Sequence, residues 1–317
     1  MKILSRPGPL VASLFWIVCF SVTSWAQSPV PAQTPIDGVI AAGTEVELVK
    51  AGFLGGEGPV PTPDGGLYFT DITASRIHKL DANGSVTVWR ENTGGANGLF
   101  LTNDGRLLVA GWEERRVVAI MPNGSVTALA TEFAGKPLRR PNDLIMDRKG
   151  GIYFTDPGRN TPEGSYVLYR RPDGEVVLID NEFFFPNGLT LSLDEKTLYV
   201  VDVNSEHVYA FDIQQDGRAT NKRPFAKLGG FTRPVGRPPR TGADGVAVDS
   251  NGRLYVTSDI GVQVISPGGE NLGTIQVPTK ARNVAFGGPG RRSLYVVAAK
   301  ELYRVPMVAQ GPSDRSK

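Results

Sequence analysis

Lys149-Gly-Gly-Ile-Tyr-Phe-Thr-Asp156 reads as a tight turn running into a short strand, and the chain repeats it. The rhythm recurs as Asp64-Gly-Gly-Leu-Tyr-Phe-Thr-Asp71, Asp104-Gly-Arg-Leu-Leu-Val-Ala-Gly111, Glu195-Lys-Thr-Leu-Tyr-Val-Val-Asp202, Asn251-Gly-Arg-Leu-Tyr-Val-Thr-Ser258 and Arg291-Arg-Ser-Leu-Tyr-Val-Val-Ala298. Anchored on the first apolar residue, the copies stand at Leu67, Leu107, Ile152, Leu198, Leu254 and Leu294, at intervals of 40, 45, 46, 56 and 40 residues. Six copies at a period of about 40 to 50, each with room for four short strands, are the pattern of a β-propeller. In the second copy the strands are expected at 98–102, 106–110, 116–121 and 125–131. Asn83-Gly84, Asn123-Gly124 and Asp173-Gly174 supply hairpin turns, and no segment sustains a helical period. The expected fold is all-β, a six-bladed propeller with four antiparallel strands per blade.

The sixth copy runs out of chain, ending in the polar stretch 307–317. Residues 44–50 form a spare strand with no hairpin partner nearby. The expectation is that this N-terminal strand becomes the outer strand of the last blade and closes the ring, leaving fewer open edges. The propeller would then occupy 44–306, preceded by a Pro-rich linker at 27–43.

Residues 1–26 have the order of a secretory signal peptide: Lys2 and Arg6, an apolar run from Leu10 to Val22, then Ser24-Trp25-Ala26. The run is short for a membrane span of about 20 residues, so no stable membrane insertion is expected after cleavage. The sequence therefore predicts an exported protein, periplasmic or secreted. Cys19, the single cysteine, lies in this leader, which leaves the mature chain without thiol chemistry. Of 34 basic residues two lie in the leader, so the mature chain balances 32 basic against 32 acidic residues. That neutrality argues against a nucleic-acid partner.

One polar position recurs near the start of every first strand. Glu57, Asn97, Asn142 and Asp244 stand ten residues before their anchors, and Asn187 and Asn283 eleven before theirs. First strands line a propeller's channel, so these six side chains are expected to converge at one end of the axis. Asx residues often cap turns, but capping does not account for Glu57. Carboxylate and amide oxygens without His or Cys suit a hard divalent cation, Ca²⁺ first, with Zn²⁺, Mg²⁺ or Mn²⁺ as alternatives.

The chain resembles the gluconolactonase, regucalcin and luciferin-regenerating-enzyme family. The resemblance is carried by Gly56-Glu57-Gly58-Pro59, Arg140-Pro141-Asn142-Asp143, Phe185-Pro186-Asn187-Gly188-Leu189, Ala243-Asp244-Gly245 and Tyr153-Phe154-Thr155-Asp156-Pro157. It implies a six-bladed propeller holding one divalent ion on its axis, with Glu57, Asn142, Asn187 and Asp244 as metal ligands. It also implies hydrolysis of a small-molecule lactone or ester, with Asp244 as the catalytic general base and Asn97 and Asn142 contacting substrate. Whether Asp244 acts as ligand, base or both stays open at this level. Two other classes fit the same pattern: a metal-dependent phosphotriesterase or arylesterase, and a ligand-binding propeller of NHL or strictosidine-synthase-like type. The Arg-rich loop 229–242 and the loop 157–165 are candidate covers for one face, bringing Arg159, Arg233, Arg237 and Arg240. Asp71, Asp156 and Asp202 end second strands and are expected to hold blade corners through backbone bonds. His78 and His207 fall on third strands, away from the channel.

Overall fold

Each repeat folds as a four-stranded antiparallel meander whose register follows from its turns. In blade one the strands Gly56–Pro61, Leu67–Asp71, Arg76–Leu80 and Val86–Glu91 pair in chain order. The second strand has apolar or small neighbours on both faces, and Leu67, Phe69 and Thr70 are fully buried. The fourth strand is largely exposed. Burial thus falls from the axis outward, which is why the second strands carry the clearest sequence signature.

The computed structural model describes residues 33–158 and 164–313. The signal peptide read at 1–26, Cys19 and Arg159 lie outside these residues. Blade two comprises Ala96–Leu101, Leu107–Gly111, Arg116–Ile120 and Val126–Ala130, and blade three Leu144–Met146, Ile152–Asp156, Tyr166–Arg170 and Val176–Asp180. Blade four holds Pro186–Leu191, Thr197–Asp202, His207–Ile213 and Ala219–Lys227, and blade five Val246–Val248, Leu254–Ser258, Gly261–Ile265 and Asn271–Ile275. Blade six consists of Ala281–Gly287, Ser293–Ala298 and Glu301–Pro306, completed by Glu47–Ala51, which pairs antiparallel with Glu301–Pro306. The N-terminal strand therefore closes the ring as expected, beginning a few residues later than its sequence suggested. Among the described residues the one helical element is a 3₁₀ turn, Pro289–Arg291.

Ahead of the closing strand, Ile36, Val39 and Ile40 are buried among Tyr255, Val264, Phe286 and Met307 of blades five and six. Val39 O accepts the amides of Val308 and Ala309 at 3.0 and 3.1 Å, so both ends of the chain clasp the same side of the ring. The blade corners behave as the sequence suggested. Asp71 accepts Leu54 N and Gly55 N at 2.9 and 2.8 Å, Asp156 accepts Arg139 N and Arg140 N, and Asp202 accepts Phe184 N and Phe185 N. These bonds fix the entry of the first strands of blades one, three and four, and those entries bear the polar ring.

Candidate active site at the channel end

The site is built from backbone that neighbouring blades hold at very short range. Gly98 N donates to Asn142 O at 2.8 Å, Gly188 N to Asp244 O at 2.8 Å, and Gly245 N to Arg282 O at 2.7 Å. Second-strand threonines of alternate blades add the complementary bonds: Thr70 Oγ1 to Asn97 O at 3.0 Å, Thr155 Oγ1 to Asn187 O and Thr257 Oγ1 to Arg282 O, both at 2.7 Å. At four of the places such proximity requires glycine after the ring residue, while Asn142 and Arg282 are followed by Asp143 and Asn283. A methyl group at Gly58, whose φ is 49°, would stand 2.0 Å from Asn97 O, and one at Gly245 would stand 2.2 Å from Asn283 Oδ1. The Glu-Gly, Asn-Gly and Asp-Gly pairs of the sequence are thus one device: a side chain for the channel, then room for the next blade.

Five of the expected ring residues take equivalent places: Glu57, Asn97, Asn142, Asn187 and Asp244. Glu57, Asn97, Asn142 and Asn187 are buried, and Asp244 is partly accessible. In blades three and five the ring residue precedes the strand proper by two positions, because Leu144–Met146 and Val246–Val248 are short. The sixth place is different. Both bonding patterns that mark the ring position converge on Arg282, one residue before the expected Asn283. Asn283 instead matches Asp143, since each accepts the following amide through its own Oδ1, at 2.8 and 2.9 Å. The cause is the following hairpin: Phe286 pairs with Leu294 where Leu101 pairs with Leu107, two residues more, and the 3₁₀ turn Pro289–Arg291 takes up the excess, so counting eleven back from Leu294 stops one residue short. Asn283 nonetheless reaches the axis, donating its Nδ2 to Glu57 Oε2 at 3.1 Å.

The two ring carboxylates are held in an unfavourable setting. Burial and the nearby Asp244 charge push the Glu57 carboxyl up to about 8, against opposing effects from Arg282 and Asn283. Asp244 rises to about 6 because burial outweighs the attraction of Lys280 and Arg282 and a side-chain hydrogen bond with Asn187. Like charges about 4 Å apart repel by roughly 4 kcal/mol even at an effective dielectric near 20. Among the described residues Asn97 Oδ1 is buried without a hydrogen-bond donor. Repelling carboxylates beside amide side chains fit a hard divalent cation, which would offset the repulsion. No group of three or more His, Cys, Asp or Glu able to hold a metal occurs among the described residues. Any such site here depends on the amides.

Around this end, sequence reasoning missed two features. Trp112 and Phe185 face each other with ring centroids 6.5 Å apart, and the Arg140 guanidinium lies 5.2 Å over Trp112. Asp259 gathers Arg240, through Nε at 2.8 Å and Nη2 at 3.0 Å, and Lys280 at 2.7 Å. That cluster ties the loop 229–242 down to blades five and six. Of the other loop arginines, Arg233 stacks on Phe231 at 5.0 Å and Arg237 is exposed. His78 is buried against Phe53 and Phe69, far out in blade one.

A six-bladed propeller with a polar, oxygen-rich ring closing one end of its channel is the class this fold and site define. The chain belongs to the SMP-30/Gluconolactonase/LRE-like family, whose model matches residues 55–300. It is 28% identical to a gluconolactonase of Zymomonas mobilis, over 85% of this chain and 83% of that protein. It is 31% identical to the pentonolactonase XacC of Haloferax volcanii, over 77% of this chain and 81% of that one. A solved gluconolactonase from Xanthomonas campestris superposes with a TM-score of 0.75 at 28% identity, covering 88% of this chain and 95% of its own. These relatives support a lactone-hydrolysing function.

Proposed function

We propose that the protein is a metal-dependent hydrolase that opens a sugar-type lactone at the polar ring. The observation that carries the reading is the pairing of buried Glu57 with partly accessible Asp244, two carboxylates whose charges oppose each other within a ring of amides. Glu57, Asn142, Asn187 and Asp244 would hold the cation, with Ca²⁺ favoured by an all-oxygen donor set. A regucalcin of Xenopus laevis, 30% identical over 77% of this chain, and its lactonase relatives favour the same reading. When bound, the cation supplies Lewis-acid polarisation of the lactone carbonyl, stabilising developing negative charge by several kcal/mol.

The chain's own residues do the rest. Asp244 is the ring carboxylate with an accessible edge, so it takes the proton from the attacking water. Its raised pKa suits that task better than an ordinary aspartate's would, because a base near the working pH transfers protons most effectively. Asn187 holds Asp244 by a side-chain hydrogen bond and limits its rotation. Asn97 and Asn142 present amides to the ring hydroxyls of the substrate. The Trp112–Phe185 surface offers an apolar wall for the sugar's flat face.

The test is acid release from a panel of neutral lactones by the mature chain, with spontaneous hydrolysis subtracted. It is run after chelation and again after Ca²⁺, Zn²⁺, Mg²⁺ or Mn²⁺ is restored. Turnover that returns with a cation establishes the lactonase. Turnover absent on lactones but present on phosphotriesters overturns it in favour of that activity.

A further inference from the structure

The ring's sixth place is occupied by a cation, and that asymmetry carries a consequence for substrate choice. Arg282 O receives both the Gly245 amide and the Thr257 hydroxyl, each at 2.7 Å, so its backbone is pinned at the position that Asn97 and Asn187 hold in their blades. The side chain springs from the same kind of first-strand register shift that carries Glu57, Asn97 and Asn187 in their blades. It is partly buried, and its charge is felt by both Glu57 and Asp244.

The other cations near this end are committed. Lys280 and Arg240 share Asp259, and Arg140 lies over Trp112. Arg282, by contrast, forms no ion pair among the described residues. Asp143 adds its charge to those of Glu57 and Asp244, and with a divalent ion set against the ring acids the Arg282 guanidinium is the cation at this place that no ion pair among the described residues engages. A planar fork of donors in such a setting is matched by a carboxylate or another oxyanion.

We infer that Arg282 is a specificity-determining residue that selects lactones carrying an additional anionic group, such as a terminal carboxylate or phosphate, over neutral ones. This rests on the lactonase reading, and the experiment separates the two. The ratio of kcat/KM for an aldaric acid monolactone, which keeps a free carboxylate, to that for the neutral aldonolactone of the same chain length is measured in the unmodified protein, Arg282→Gln and Arg282→Glu. Melting temperature verifies that each variant folds.

The unmodified protein is expected to favour the anionic lactone. The ratio should fall roughly 10-fold in Arg282→Gln and further in Arg282→Glu, and the preference should weaken with added salt. Equal loss on both lactones would mark Arg282 as a balance for the ring's own acids and overturn the inference. So would an unchanged ratio in both variants. If neither lactone is turned over with any cation, the lactonase reading fails separately. Calorimetric binding of a sugar dicarboxylate against the matching monocarboxylate then decides: a preference that Arg282→Gln abolishes supports the inference, and no preference overturns it.

Discussion

Glu57 and Asp64 lie at opposite ends of the same hairpin, and their surroundings drive them in opposite directions. Asp64 sits at the far end, half exposed, where Lys79 bonds it at 2.7 Å and Thr62 and Gly66 add hydrogen bonds. Those partners, Lys79 first, hold its carboxyl down to about 2. Glu57 has the Asn283 amide, a long bond from Gly58 N and the Arg282 charge against burial and the charges of Asp244 and Asp143, and it rises to about 8. The fold neutralises charge at the far turn and leaves it uncompensated at the ring, where the proposed cation would sit. A carboxylate made uncomfortable by its own protein is a better marker of a site than a carboxylate that is merely conspicuous.

The sharpest way to break the comparison is at Asp244. Replacing it by Asn keeps an oxygen while removing basicity, and turnover should fall on the order of 10²- to 10⁴-fold with cation binding partly retained. Unchanged turnover, read by acid release, would remove the base role. Next is Glu57→Gln. The metal-free variant should be more stable than the unmodified protein by a few kcal/mol at pH 8, and the cation-induced rise in melting temperature should shrink.

The pH dependence of that contrast has a definite sign. A carboxyl whose folded pKa is raised costs nothing below its unfolded value, near 4.5. Its penalty grows until pH passes about 8. The stabilisation given by a cation, measured as the shift in melting temperature, should therefore increase from pH 5 to pH 8. A flat profile would contradict the assignment of Glu57 as a ligand. For Asp64 the sign reverses: its contribution is present above about pH 4 and disappears as pH falls toward 2.

Smaller effects complete the series. Thr257→Val removes the hydroxyl bond that pins Arg282 O and should cost about 1 kcal/mol in denaturant unfolding. Asp64→Asn should cost no more than about 1 kcal/mol, since exposed ion pairs contribute little, and should leave turnover and cation response untouched. A large loss of activity in Asp64→Asn would erase the distinction between the two ends.

The fold was legible because propeller geometry repeats: second strands buried on both faces demand the same apolar run six times, and the tight turns demand Gly or Asn beside it. Five ring residues were legible for the same reason, four standing ten residues before their anchors and Asn187 eleven before its own. The sixth was not. The hairpin before Leu294 is two residues longer than the one before Leu107, which brings Arg282 into the ring and puts Asn283 beyond it, and a count allowing one extra turn residue stops short. Asp143, Lys280 and Asp259 also escaped notice, because their contacts at the site run between blades or through loops that differ in length from copy to copy. Trp112, Arg140 and Phe185 meet only when three blades are placed side by side.

Closure by the strand Glu47–Ala51 also sets an order in time. Glu57 belongs to the first blade made and Asn283 to the last, yet the two are hydrogen-bonded across the seam. The strand that completes blade six waits at the front of the chain until Glu301–Pro306 has been synthesised. A nascent or prematurely ended chain therefore carries every acidic ligand candidate and still lacks the finished ring. If a cation binds at the axis as proposed, its loading would report that the ring has closed.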